Sequence, residues 1–190
     1  MLHGVMILSD VEILELIDRG MISPAERELI GRHEGILSFG LSSYGYDARI
    51  GEDFVRYKPR APDDPLDPRN VTEDDVVRFQ ADEVDIPGQG FLLGTTIEYL
   101  RMPRDVTAVL QDKSTLARCG ISIQNTVIEA GFEGHVTIEI HNQHPFPVKL
   151  RAGEGIGQLL FFRGNPCRTS YADRKGKYQF QRGVTLPKPK

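Results

Sequence analysis

"HVTIEIHNQHPFPVKLRAGEGIGQLLFFRG" spans residues 135–164. It contains three short apolar runs, "HVTIEIHNQ", "FPVKLRAG" and "IGQLLFFRG", separated by Pro and Gly. Runs of this length bounded by turn residues predict β-strands rather than helices. Outward from there, "VTAVLQDK" (106–113), "GQGFLLGTTIEYLRMP" (88–103) and "LSFGLSSYGYDARIGEDFVRY" (37–57) continue the pattern. Many short strands at such spacing predict a mainly β fold, a barrel or a sandwich. Within "HVTIEI", alternation puts Val136, Ile138 and Ile140 on one face and His135, Thr137 and Glu139 on the other. Glu139 therefore points either to water or into a cleft. In a partly dry cleft, a carboxyl has a raised pKa and can move protons.

The N-terminal segment reads differently. Ser9 is placed to cap a helix, Glu12 to complete a capping box, and Ile13, Leu14, Leu16 and Ile17 form an apolar stripe that Gly20 ends. Ser23-Pro24 followed by Glu26 predicts the start of a second short helix. Residues 60–75, rich in Pro and Asp, predict a surface loop.

At 190 residues with 39% hydrophobic and 26% charged side chains, the composition fits one globular domain, 1–190. No apolar run approaches the roughly 18 residues of a membrane span. "MLHGVMILSD" lacks a basic start and a cleavage site, so the expected compartment is the cytoplasm. Cys119 and Cys167 lie far apart with no CxxC pair, which argues against a disulfide framework or a zinc knuckle. Charge is uneven. Residues 63–85 are strongly acidic, whereas from Arg168 onward Arg174, Lys175, Lys177, Arg182, Lys188 and Lys190 face only Asp173. A basic end on a chain of net charge −4 predicts a local anionic ligand, not nucleic acid and not a membrane.

A second stretch carries chemistry. In "KSTLARCG", Ser114 and Thr115 open a helical turn that Gly120 ends, with Lys113 and Arg118 flanking it. Free N–H groups, hydroxyls and cations together suit a phosphate. A capped surface helix with two solvated cations would show the same residues.

"KSTLARCGI", "GFEGHVTIEI", "SSYGYDAR" (42–49) and "SYADRKGKYQFQRGVTLPK" together resemble the dCTP deaminase family, in order and over nearly the full chain. The resemblance implies a distorted β-barrel related to dUTPase, with short N-terminal helices. It further implies a homotrimer with active sites at subunit interfaces. The implied substrate is dCTP carrying Mg²⁺ on its phosphates, with dUTP and ammonia as products. The family's catalytic carboxylate falls on Glu139, within the base-contacting strand Thr137-Ile138-Glu139, and its hydroxyl–arginine motif on Ser114, Thr115 and Arg118. Substrate contacts are expected across Lys113, Ser114, Thr115, Leu116, Ala117 and Arg118. Phosphate contacts fall on Gln158, Tyr171, Lys177 and Gln181, with residues 168–190 as a lid.

Zinc deaminases activate water through H-x-E and P-C-x-x-C ligands. His33-Glu34 has the wrong spacing and no second motif accompanies it, so no zinc is expected. Glu139 is then expected to take a proton from water and to protonate cytosine N3 and the leaving amine. Ser114 is expected to orient the water, and Arg118 to hold the carboxylate and nearby charge. Two departures stand out. Lys113 occupies a position where Arg is frequent, and "QNTVIEAGFEG" is short, with Glu129 where Asp is frequent. The same loop resembles that of bifunctional relatives that also hydrolyse dUTP to dUMP and pyrophosphate. A non-catalytic nucleotide-binding trimer is the third reading.

Overall fold

The computed structural model describes residues 6–31, 35–124 and 126–188; His33 and Glu34 lie outside the described residues. The fold is mainly β. One sheet runs Val127–Ile128, Val106–Asp112, Gly155–Arg163, Gly45–Arg49, Phe39–Ser42, Leu29–Ile30, with Met6–Ile7 added along Gly155–Arg163. The other runs Ile121–Ile123, Glu133–Asn142, Phe91–Arg101, Asp53–Tyr57, Val76–Gln80, with Ile22–Ser23 beside Phe91–Arg101. A small ladder pairs Glu83–Ile86 with Val148–Arg151. All three predicted runs in residues 135–164 are strands.

Both sheets feed one core. Tyr46, Ala48, Leu110, Leu159 and Phe161 from the first meet Phe54, Leu92, Leu100, Ile138 and Ile140 from the second. Among the described residues the ladders form two open sheets and do not close into the expected ring. The end strands Leu29–Ile30 and Val127–Ile128 are two residues long, too short to carry a ladder onward. A buried ion pair joins the sheets: Arg49 Nε lies 2.7 Å from Glu98 Oε1, and the Arg49 N–H donates to Glu98 Oε2 at 2.9 Å. Burial pushes the Glu98 carboxyl above its ordinary value, while Arg49 works against that rise. Much of "SSYGYDAR" is thus structural: Tyr46 fills the core and Arg49 ties the sheets.

Helix α1 spans Asp10–Asp18 and has the expected capping box, with the Ser9 N–H donating to Glu12 Oε2 at 3.0 Å. The second N-terminal helix is not there. Past Ile22–Ser23, the Glu26 N–H donates to Tyr46 Oη at 3.0 Å, and Leu29 and Ile30 pair with Gly40 and Phe39. Long-range partners take the backbone groups that a helix would have used, so local propensity loses. No helix among the described residues is long and apolar enough to cross a membrane.

Candidate active site

Glu133–Asn142 alternates half-buried and buried residues along its whole length, as the sequence predicts. Its polar face is half-buried rather than fully exposed. It forms the floor of a cavity of about 970 Å³ that contains Thr137 and Glu139. A bulge at Val136, whose N–H donates to Thr96 Oγ1 at 2.9 Å, bends the strand beside the site.

The C-terminal segment covers this floor. The Tyr171 N–H donates to the Ala130 carbonyl at 2.9 Å and the Phe180 N–H to that of Glu133 at 2.6 Å. The Thr185 N–H donates to Thr137 Oγ1 at 3.1 Å. Val184 and Leu186 pack with Val55, Val76 and Leu93 on the outer face of the sheet. The chain can turn tightly here because Gly176 has no side chain: a Cβ would sit 2.1 Å from the Tyr171 ring. Arg104 clamps the start of the segment through Asp173, at 2.7 Å, and holds that carboxyl down at about 2, with the Ser170 N–H assisting. Asp173 therefore stays ionised, and the clamp closed, until pH falls through that value.

Tyr171, Lys177 and Gln181 line the cavity with Glu139 and Thr137, and Arg174 and Lys175 add two more cations. Arg174 pairs with Glu129, which also lines the cavity. Gln181 Nε2 donates to the His135 carbonyl at 2.6 Å, leaving its Oε1 buried without a partner among the described residues. In this conformation Gln181 offers an acceptor; contact with a phosphate needs the amide to turn.

Glu139 is the unusual group. One carboxylate oxygen, Oε2, is buried with no partner among the described residues. Burial raises the pKa of the carboxyl above its ordinary value; its own N–H and the Thr126 hydroxyl oppose the rise without cancelling it. A carboxylate with one oxygen buried and without a partner among the described residues is costly for folding and suited to exchanging protons with a ligand. The cost has a testable sign. The folded state holds the proton at pH values where the unfolded chain has lost it, so wild-type stability falls as pH rises from about 4.5 through the folded pKa. Glu139→Gln is expected to raise stability near neutral pH, with the gain disappearing below the ordinary glutamate value. Urea melts at pH 4 and pH 7 measure it. A variant no more stable than wild type at pH 7 would contradict the burial argument.

The remaining predicted site residues stand elsewhere. Helix α2, Ser114–Arg118, forms as expected and ends before Gly120 at φ 71°. Lys113, Ser114, Thr115, Leu116, Ala117, Arg118 and Gln158 do not line the cavity. Leu116 packs in the core, whereas Ser114, Thr115, Ala117 and Arg118 are exposed. The Ile138 side chain is fully buried and the residue pairs with Gly94 in the sheet, so the structure does not present Ile138 to a ligand as the resemblance implied. Lys113 Nζ lies 2.5 Å from Asp47 Oδ2 and 3.1 Å from Ser38 Oγ. Gln158 Nε2 donates to Ser42 Oγ at 3.0 Å. The chain thus presents two separate polar sets, a cavity with a carboxylate and cations, and an exposed hydroxyl–arginine turn.

Sequence reasoning missed Tyr57, Phe91, Phe132 and Tyr178 as cavity residues. Their only signal was an aromatic in an otherwise ordinary strand or tail. No three His, Cys, Asp or Glu side chains among the described residues converge as a metal site.

A family model described as dCTP deaminase-like matches residues 7–164. The dCTP deaminase of Campylobacter lari is 49% identical over 173 residues, covering 90% of this chain and 91% of that protein. The dCTP deaminase of Campylobacter fetus subsp. fetus is 50% identical over the same shares. The crystal structure of 2'-deoxycytidine 5'-triphosphate deaminase from Agrobacterium tumefaciens superposes with a TM-score of 0.62 at 20% identity. It covers 84% of this chain but 48% of that longer one, and it attests the fold.

Proposed function

The chain belongs to the dCTP deaminase-like family, and we propose from that premise that it hydrolyses dCTP, as its Mg²⁺ complex, to dUTP and ammonia. The observation that carries this reading is Glu139, a half-buried carboxylate with one buried oxygen lacking a partner among the described residues, in a cavity whose opposite end holds three cations. A triphosphate needs the cations; an amidine-like C4–NH₂ needs the carboxylate. Mg²⁺ arrives on the phosphates, and no residue of the chain is assigned to it.

Glu139 accepts one proton from water as the water oxygen bonds to C4, and gives it to N3; it then takes the second proton from the new C4 hydroxyl and passes it to the amine, which leaves as ammonia while the C4 carbonyl forms. Its raised pKa favours this role, because the protonated form is reached at a higher pH than for an ordinary glutamate. Thr137, which lines the cavity beside it, holds the base edge. Tyr171, Lys177 and Gln181 close over the phosphates and exclude water. The direct test is incubation with dCTP and Mg²⁺ while ammonia, dUTP, dUMP and pyrophosphate are followed together. Ammonia and dUTP in equal amounts support deamination. Pyrophosphate and dUMP from dCTP would mark the bifunctional reading, and dCTP binding with no product the non-catalytic one.

The hydroxyl–arginine turn stands outside the cavity of its own chain, which supports an arrangement in which it completes the cavity of a neighbour. We infer a homotrimer on this ground, with Ser114 orienting the water and Arg118 the carboxylate across the interface, and Lys113 and Gln158 framing the same side. Lys113 keeps its pairing with Asp47, so its part is to shape the turn's base rather than to meet phosphate directly. Arg118→Ala and Glu139→Gln chains should each be inactive alone. Coexpressed in equal amounts they should regain about a quarter of the native sites, since some sites draw both intact groups from different chains. Absence of any recovery in mixed assemblies would place both groups in one chain's site.

A further inference from the structure

The cavity also has an aromatic side, whose residues have no part in the reading so far. Val55 pairs with Leu93, and Leu93 with Glu139, so these side chains share one face of three neighbouring strands. Two residues on, Tyr57 lies on that same face beside Phe91, their ring centroids 6.0 Å apart. Phe91 in turn pairs with His141 and lies 4.8 Å from its ring. Leu93, nearly buried, lies between these aromatics and the carboxylate, and Tyr57, Phe91, Leu93 and Glu139 all line the cavity. The strands carrying Tyr57 and Glu139 are two spacings apart, about 10 Å, and both residues face the same cavity, with Leu93 in its wall. The cations come from the other direction. Tyr171 is anchored at Ala130 and Arg174 at Glu129, at the far end of Glu133–Asn142 from Glu139. From Glu133 to Glu139 is about 20 Å along the strand.

We propose that Tyr57 and Phe91 form an aromatic wall that recognises the pyrimidine base, holding the ring in the cavity with its 4-position toward Glu139. This rests on the deaminase reading and adds to it residues that select the base rather than the phosphates. Stacking on an aromatic side chain tolerates any flat base, so the wall supplies affinity while Glu139 and Thr137 supply the choice. Tyr57 also keeps a neutral hydroxyl at the wall's edge: burial, then the charges of Asp75 and Glu139, push its phenol above the ordinary value.

The test compares binding of Mg·dCTP and of inorganic triphosphate by calorimetry. Probes are wild type, Tyr57→Phe, Tyr57→Leu and the double variant Tyr57→Leu/Phe91→Leu. The double variant should bind dCTP about tenfold or more weaker, Tyr57→Leu alone about fivefold weaker, and Tyr57→Phe close to wild type. Inorganic triphosphate, which reaches only the cationic end, should bind all four within about twofold. Wild-type dCTP affinity in the double variant overturns the wall. So does a parallel loss for inorganic triphosphate in Tyr57→Leu, a half-exposed position where misfolding is not expected. Wild type that binds dCTP without releasing ammonia overturns the deaminase reading instead, and the dCTP comparison still decides the wall.

Discussion

Replacing Glu139 by Gln is expected to cut turnover of dCTP by about 10²–10⁴-fold while leaving its affinity within a few-fold of wild type. Gln keeps the volume of the side chain and its place on the cavity floor. It cannot take a proton from water or return one to N3 and the departing amine. The loss belongs in kcat rather than KM, because proton transfer is made only in the transition state. Burial of the carboxyl adds a pH signature. The ionised form that accepts the first proton is lost as pH falls through a value above the ordinary glutamate range. The acid limb of kcat/KM should therefore lie above about 4.5 in wild type and vanish in the variant's residual rate. More than about a tenth of wild-type kcat in the variant would remove Glu139 as the acid–base group.

Deleting the chain from Tyr171 onward is expected to weaken dCTP binding at least tenfold and to slow turnover. Arg174, Lys175, Lys177 and Gln181 all leave with it, and each charge-assisted bond to phosphate is worth about 1.5–3 kcal/mol. Deoxycytidine, which has no phosphates, should lose much less. The deletion also uncovers Val55 and Leu93 by removing Val184 and Leu186, so a drop in melting temperature is expected alongside. The companion variant Lys175→Ala/Lys177→Ala keeps that packing and should reproduce the affinity loss without the stability loss. Unchanged KM and kcat in the truncated enzyme would make the segment a structural cover with no part in binding.

Much of the site was legible early because its signals are local. The alternation around Glu139 survives as an alternation of burial, and the Ser114–Arg118 turn forms where two hydroxyls and a following Gly place it. The basic tail folds over the cavity that its charge foretold, with Lys177 and Gln181 lining it. Where reading failed, the deciding partner was distant. Residues 23–30 have helix-start chemistry, but Tyr46 and the Phe39–Ser42 strand take their backbone groups. Lys113 reads as a free cation, yet Asp47, 66 residues away, holds it. Tyr57 and Phe91 read as ordinary strand aromatics until three strands lie side by side.

The sequence alone determined the mainly β class, the cap and length of α1, the two faces of Glu133–Asn142 and the residue types able to move a proton or hold a phosphate. These depend on periodicity and on neighbours within a few positions, where backbone geometry leaves few choices. Tertiary structure alone decided that the C-terminal segment roofs the polar face of that strand, which leaves one Glu139 carboxylate oxygen buried without a partner among the described residues. It alone separated the hydroxyl–arginine turn from the cavity of its own chain. Desolvation depends on what packs above a residue, and here the roof arrives 46 to 48 residues later in the chain, through Thr185 on Thr137 and Gln181 on His135.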